Sequence, residues 1–136
     1  MAGRNAQRGY VGWALPEEDR ARLLEIFPPR YERVIGHHVT LAHGVNAHYP
    51  LPRSRQGQVV GIADDGSGVQ ALVVALIGPE ADKTDPTRRK GSGHFHITWS
   101  LAADCQPVMS NDVIRTHGWQ AVEPVGIALE PRFFPR

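Results

Sequence analysis

His38-Val39-Thr40-Leu41 and His96-Ile97-Thr98-Trp99 share one pattern: a histidine and a threonine two residues apart, set among β-branched or bulky apolar residues. On a strand, successive side chains alternate faces. His38 and Thr40 therefore point one way and Val39 and Leu41 the other, and the same holds for His96 and Thr98 against Ile97 and Trp99. A strand that packs its apolar face on a core presents an imidazole and a hydroxyl together on its opposite face. The pattern occurs twice, 58 residues apart, which predicts a site built from two histidines.

The rest of the chain reads outward from these two strands. Tyr10-Val11-Gly12-Trp13-Ala14 predicts a short first strand. Pro16 suits a first helical turn, and Glu17, Glu18 and Asp19 place negative charge at the positive end of a helix dipole. Leu23, Leu24 and Phe27 follow at helical spacing, and Pro28 and Pro29 stop the helix. The second strand, with the first motif, lies within 31–45. Strands over 58–63 and 69–77 flank Asp64-Asp65-Gly66-Ser67-Gly68, a hairpin signal in which glycine supplies positive φ. A polar loop over 78–92 leads to the second motif strand over 93–102. Ser110 is a plausible N-cap for a helix ending near Gly118, and 122–129 reads as a last strand before a tail with Pro and Phe. The order β-α-β-β-β-β-α-β predicts an α+β domain with two helices on a mostly antiparallel sheet. One face of that sheet is expected to be covered by helices, and the other to be open and to carry both motifs.

Composition sets the bounds. A chain of 136 residues with 41% hydrophobic and 21% charged content suits one folded domain over 1–136, large enough for a core without disulfides or metal. The lone cysteine, Cys105, excludes an internal disulfide and a multi-cysteine zinc site. A net charge of +1 argues against a polycation that coats nucleic acid. No apolar run approaches the roughly 18 residues of a membrane span. Residues 1–8 are polar, with two arginines, and no signal-like apolar region follows. A cytoplasmic location without membrane or protein partner is the expectation.

Six of the seven histidines fall in two groups: His37, His38, His43 and His48, then His94 and His96. Strand alternation assigns His38 and His96 to the site and His37 and His43 to the opposite face, where they read as structural. His48 reads as a loop residue and His117 as a helix end. His94 shares a face with His96 and is a candidate pocket residue. His94-Phe95-His96 also has the spacing of jelly-roll metal enzymes, but Ser100-Leu101-Ala102-Ala103 stands where those need a carboxylate, and Asp104 lies too far along.

Two imidazoles on opposite sides of a phosphorus support in-line displacement, one taking the proton of the attacking oxygen and the other protonating the departing one. Two threonine hydroxyls can stabilise the non-bridging oxygens. Such a site calls for no metal and no cofactor on a diester or a strained cyclic phosphate. Arg88-Arg89-Lys90-Gly91-Ser92-Gly93, a basic glycine-rich loop, runs straight into the second motif strand and suits an anionic substrate. Arg53 and Arg55 offer a second basic edge. Ser100 and Tyr10 complete the candidate substrate contacts, Tyr10 as a surface for a nucleobase, although core packing is the favoured reading for it.

The paired motifs resemble the signature of the two-histidine (2H) phosphoesterases, a superfamily that includes RNA 2′,3′-cyclic phosphodiesterases and tRNA-ligase cyclic phosphodiesterase domains. Tyr10-Val11-Gly12-Trp13-Ala14-Leu15-Pro16 before a helix is similar to the family's first strand and helix, so the resemblance spans about 9–129. It implies a two-lobed fold of mostly antiparallel sheets and two helices around a central cleft, with His38 and His96 catalytic and Thr40 and Thr98 on the phosphate. The separation of 58 residues is short for the superfamily and predicts one trimmed lobe. The implied activity is metal-independent opening of a cyclic phosphate on a nucleotide or RNA end. A non-catalytic RNA- or nucleotide-binding module on the same fold is the alternative, and a metal-dependent His-x-His enzyme a third reading.

Overall fold

The structure, a computed structural model, describes residues 7–136; residues 1–6, and with them most of the polar opening, lie outside the described residues. Eight strands and two helices follow in the order β1 (Arg8–Ala14), α1 (Glu17–Ile26), β2 (Arg33–Val34), β3 (His38–Asn46), β4 (Gln56–Asp64), β5 (Val69–Ile77), β6 (His96–Leu101), α2 (Met109–His117), β7 (Gln120–Ala128) and β8 (Glu130–Pro135). The fold is α+β and mostly sheet. All strand pairs are antiparallel and fall in two sheets, β3-β1-β8 and β2-β6-β5-β4-β7.

The run Val69-Gln70-Ala71-Leu72-Val73-Val74-Ala75-Leu76 explains why one open sheet face does not form. All eight residues are buried, so β5 is covered on both sides, as a run that is apolar but for Gln70 requires. Leu72, Val74 and Leu76 enter a core shared with Trp13 and Leu15 of the first sheet region, Val39 of β3, Ile97 and Trp99 of β6, and Leu23 of α1. Val69, Ala71 and Val73 face the other way, onto Val113 and Ile114 of α2. His96 pairs with Val73 and Thr98 with Ala71, so this motif lies on the face that α2 covers and not on an open one. Both buried indoles are satisfied: Trp13 Nε1 donates to Ser54 O (2.8 Å) and Trp99 Nε1 to Phe27 O (2.8 Å).

Local chemistry fixes the turns. Asp65 accepts the amides of Ser67, Gly68 and Val69 at 2.8–3.0 Å, while Asp64 accepts that of Gly66 at 2.8 Å, closing the expected β4–β5 hairpin. The region over 31–45 divides in two: β2 pairs with β6, the chain turns at Gly36 (φ 65°), and β3 begins in the other sheet. The tail is also a strand. β8 pairs only with β1, and an edge position tolerates Pro131 and Pro135, whose lack of an N–H argues against a strand in the sequence. Ser110 is not the cap of α2, since Val108 occupies that position and Ser110 lies buried in the first turn. No helix among the described residues is long and apolar enough to cross a membrane.

Candidate active site

The chain brings the two motifs together where it crosses between sheets. Ile35 N donates to Trp99 O and Gly36 N to Thr98 O, both at 2.9 Å, and two residues later His38 begins β3. The first motif is thereby tied to the backbone of the second. His38 and Thr40 of β3 and His96 and Thr98 of β6 line one cleft of about 380 Å³. Arg89 forms part of its wall, and Pro107, Val108, Asn111 and Asp112, at the start of α2, close it. Val39 and Ile97 are fully buried behind their motifs, as strand alternation predicts.

A bulge at the fourth residue of each motif decides what comes next. In β3, Thr40 pairs with Gly12 and Ala42 with Val11, leaving Leu41 as an extra residue. In β6, Thr98 pairs with Ala71 and Ser100 with Gln70, leaving Trp99 extra. One extra residue inverts the alternation beyond it. His43 therefore comes round to line the cleft, not the opposite face. Ser100 is turned inward, fully buried, donating to Gln70 Oε1 (2.6 Å) and accepting from the amides of Arg30 (3.3 Å) and Tyr31 (3.2 Å). Ser100 thus secures the segment after α1 and does not line the cleft.

The basic loop also divides. Arg89 donates from Nε to Ser92 O (3.0 Å) and lines the histidine cleft, whereas Arg88 and Lys90 line a separate groove with Leu41 and Tyr49. Arg53 and Arg55 line another groove, with Gln56 and Gln58. The His94 ring sits edge-on to Trp119, with ring centroids 4.9 Å apart, and only His96 of the His94-Phe95-His96 triplet lines the cleft. Among the described residues no group of three His, Cys, Asp or Glu is placed to hold a metal ion. Tyr10 lies behind His38 (4.9 Å between ring centroids) and stacks on Phe134 (4.8 Å), which itself lies 5.2 Å from His38. Phe134, in the tail beyond the last predicted strand, carries no signal of this contact in the sequence; it is placed by the pairing of β8 with β1.

The two histidines stand in different surroundings. His96 Nδ1 lies 2.8 Å from His94 O, so Nδ1 carries the proton and donates it, leaving the Nε2 lone pair free. Burial holds its pKa below the ordinary value and Arg89 pushes the same way, against that hydrogen bond. His38 is lowered to about 4, first by burial and then by His37, His96 and His43. The Thr98 hydroxyl lies 2.8 Å from Ser110 Oγ and 3.4 Å from Pro107 O. Because Thr98 donates to Pro107 O, Ser110 is the donor in the shorter bond, and the Thr98 proton is held only by the long bond to that carbonyl, from which it can turn to an oxygen in the cleft.

Set against protein-family models, curated proteins and solved structures, the chain finds no match.

Proposed function

We propose that this chain is a two-histidine phosphoesterase that opens a cyclic phosphate, as at a 2′,3′-cyclic nucleotide or RNA end, without needing a metal or cofactor. One observation carries the reading: two His-x-Thr pairs, from two different sheets, line one cleft. The matching bulges at Leu41 and Trp99 support the two-lobed 2H architecture, one sheet to each motif.

The surroundings of the histidines suit distinct roles. His96, neutral with a free Nε2, takes a proton from water as it attacks phosphorus. The bond from phosphorus to one ribose oxygen breaks, and His38, protonated once an anion fills the cleft, gives its proton to that oxygen. Thr40 and Thr98 donate to the non-bridging oxygens, where charge develops, and the Arg89 guanidinium adds a cation at the wall. No carboxylate pairs with Arg89 among the described salt bridges, so that cation is available.

The test is turnover of 2′,3′-cyclic mononucleotides in excess chelator, with the phosphomonoester product followed by phosphorus NMR. His38→Ala and His96→Ala should each lower kcat by roughly 10²–10⁴-fold, the range for a positioned acid or base. Full activity of folded His96→Ala, or no turnover by the unaltered protein, would overturn the reading. Nucleotide binding with no turnover would point to the binding-module alternative.

A further inference from the structure

The bulge at Leu41 brings into the cleft an imidazole that the two-histidine chemistry does not use. His43 lines the same cavity as Arg89, and the two share its wall beside the motif residues. The positive side continues past them. Arg8 donates through its guanidinium to Gly44 O, the residue after His43, and Arg136 N donates to Arg8 O at 2.9 Å. Burial first, and then Arg89 and Arg136 nearby, disfavour the protonated form of His43. None of Arg8, Arg89 or Arg136 joins a described salt bridge. The carboxylate that does line the cleft, Asp112, pairs with Arg115 at 2.9 Å and points into solvent. Three guanidiniums gathered around one imidazole, with no described ion pair to a carboxylate, repel one another, and an anion placed among them relieves that repulsion.

We propose that His43 and Arg89, with Arg8 and Arg136 beyond them, form a second anion subsite for a further phosphate of the same substrate. The substrate is then a nucleotide bearing a phosphate besides the cyclic one at which the histidines act: a terminal phosphate or the next internucleotide link of an oligonucleotide. This rests on the phosphoesterase reading above. A cavity of about 380 Å³ has room for a nucleotide-sized ligand reaching both groups.

Three substrates test it on one protein: uridine 2′,3′-cyclic phosphate, the same nucleotide with a 5′-phosphate, and the dinucleotide UpU with a terminal 2′,3′-cyclic phosphate. The second and third put a phosphate at the same 5′ position, as a monoester and a diester. At least one should exceed the first in kcat/KM by about 10- to 100-fold, the worth of hydrogen bonds to a charged group. A preference for the monoester alone assigns a terminal phosphate; a preference for the dinucleotide, or for both, assigns a nucleic-acid strand. In His43→Gln/Arg136→Gln, checked for folding by its thermal melt, the preference should collapse toward unity. Equal kcat/KM for all three substrates would overturn the second subsite and leave the two-histidine chemistry standing, as would a preference unchanged in the folded double variant. Turnover of none of them would sink both.

Discussion

Replacing His38 by Gln should flatten the acid side of the stability curve. The His38 pKa falls from the ordinary 6.5 to about 4 on folding, because the ring is buried and has His37, His96 and His43 around it. A histidine with a lowered folded pKa binds its proton more readily in the unfolded chain. Its contribution is therefore fully present above about pH 6.5 and is lost as the pH falls from there toward 4. At 1.36 kcal/mol per unit the drop corresponds to about 3 kcal/mol. Solvent contact at the ring trims this to about 2 kcal/mol. His43 and His96 are lowered too, so the wild-type curve alone mixes three groups. The difference between wild type and His38→Gln isolates one. Urea unfolding at intervals from pH 7.5 to 4 measures it: the wild type should lose about 2 kcal/mol more than the variant. Curves that stay parallel across that range would refute the burial argument for His38.

Four further outcomes follow from named contacts. Anion binding should raise the pKa of His38, so the descending limb of kcat, and with it the optimum, should lie at higher pH than that of kcat/KM, which reports the free enzyme; coincident profiles would count against His38 as the acid. Ser110→Ala should lower kcat by roughly 2- to 10-fold through a less oriented Thr98, with a smaller effect on KM, as steady-state kinetics would record. Ser100→Ala should do the reverse, costing about 1–3 kcal/mol in urea unfolding as the amides of Arg30 and Tyr31 lose an acceptor, with turnover retained. Gly12→Ala should disturb the site from behind: a Cβ there would stand 2.0 Å from Val39 O and 2.9 Å from Thr40 Cα, so melting temperature and kcat should fall together.

Much of this fold was legible because the informative features are local. Alternating apolar residues marked both motif strands, the Asp-Asp-Gly-Ser-Gly run marked the hairpin, and Gly118 with positive φ ends α2 where a C-cap glycine belongs. What escaped the sequence depends on partners. β8 is a strand because β1 offers it an edge, and its two prolines read the other way in isolation. Ser110 resembles a cap residue by position, yet the strand beneath α2 supplies Thr98 as its partner. Strand alternation puts His43 and Ser100 on the wrong faces for a single reason. Alternation is reliable only while the register is unbroken, and neither Leu41 nor Trp99 looks like an inserted residue in the sequence. Arg88, Arg89 and Lys90 are equivalent as charges, and only the loop's path sends the middle one to the cleft.

Two motifs of near-identical sequence stand in different surroundings because of what lies behind each ring. The His96 imidazole has a carbonyl, His94 O, on its Nδ1, which fixes one tautomer and leaves a lone pair at Nε2. That arrangement suits a base, and a lowered pKa keeps the base free near neutrality. His38 has aromatic rings at its back, Tyr10 and Phe134, and other histidines beside it, and these surroundings disfavour a proton on it. It gains one most readily when an anion arrives, which is when an acid is needed. On the phosphoesterase reading, the symmetry written into the two His-x-Thr segments is broken by a backbone carbonyl on one side and an aromatic stack on the other. On that same reading, the division of labour proposed for the histidines is set by residues outside both motifs.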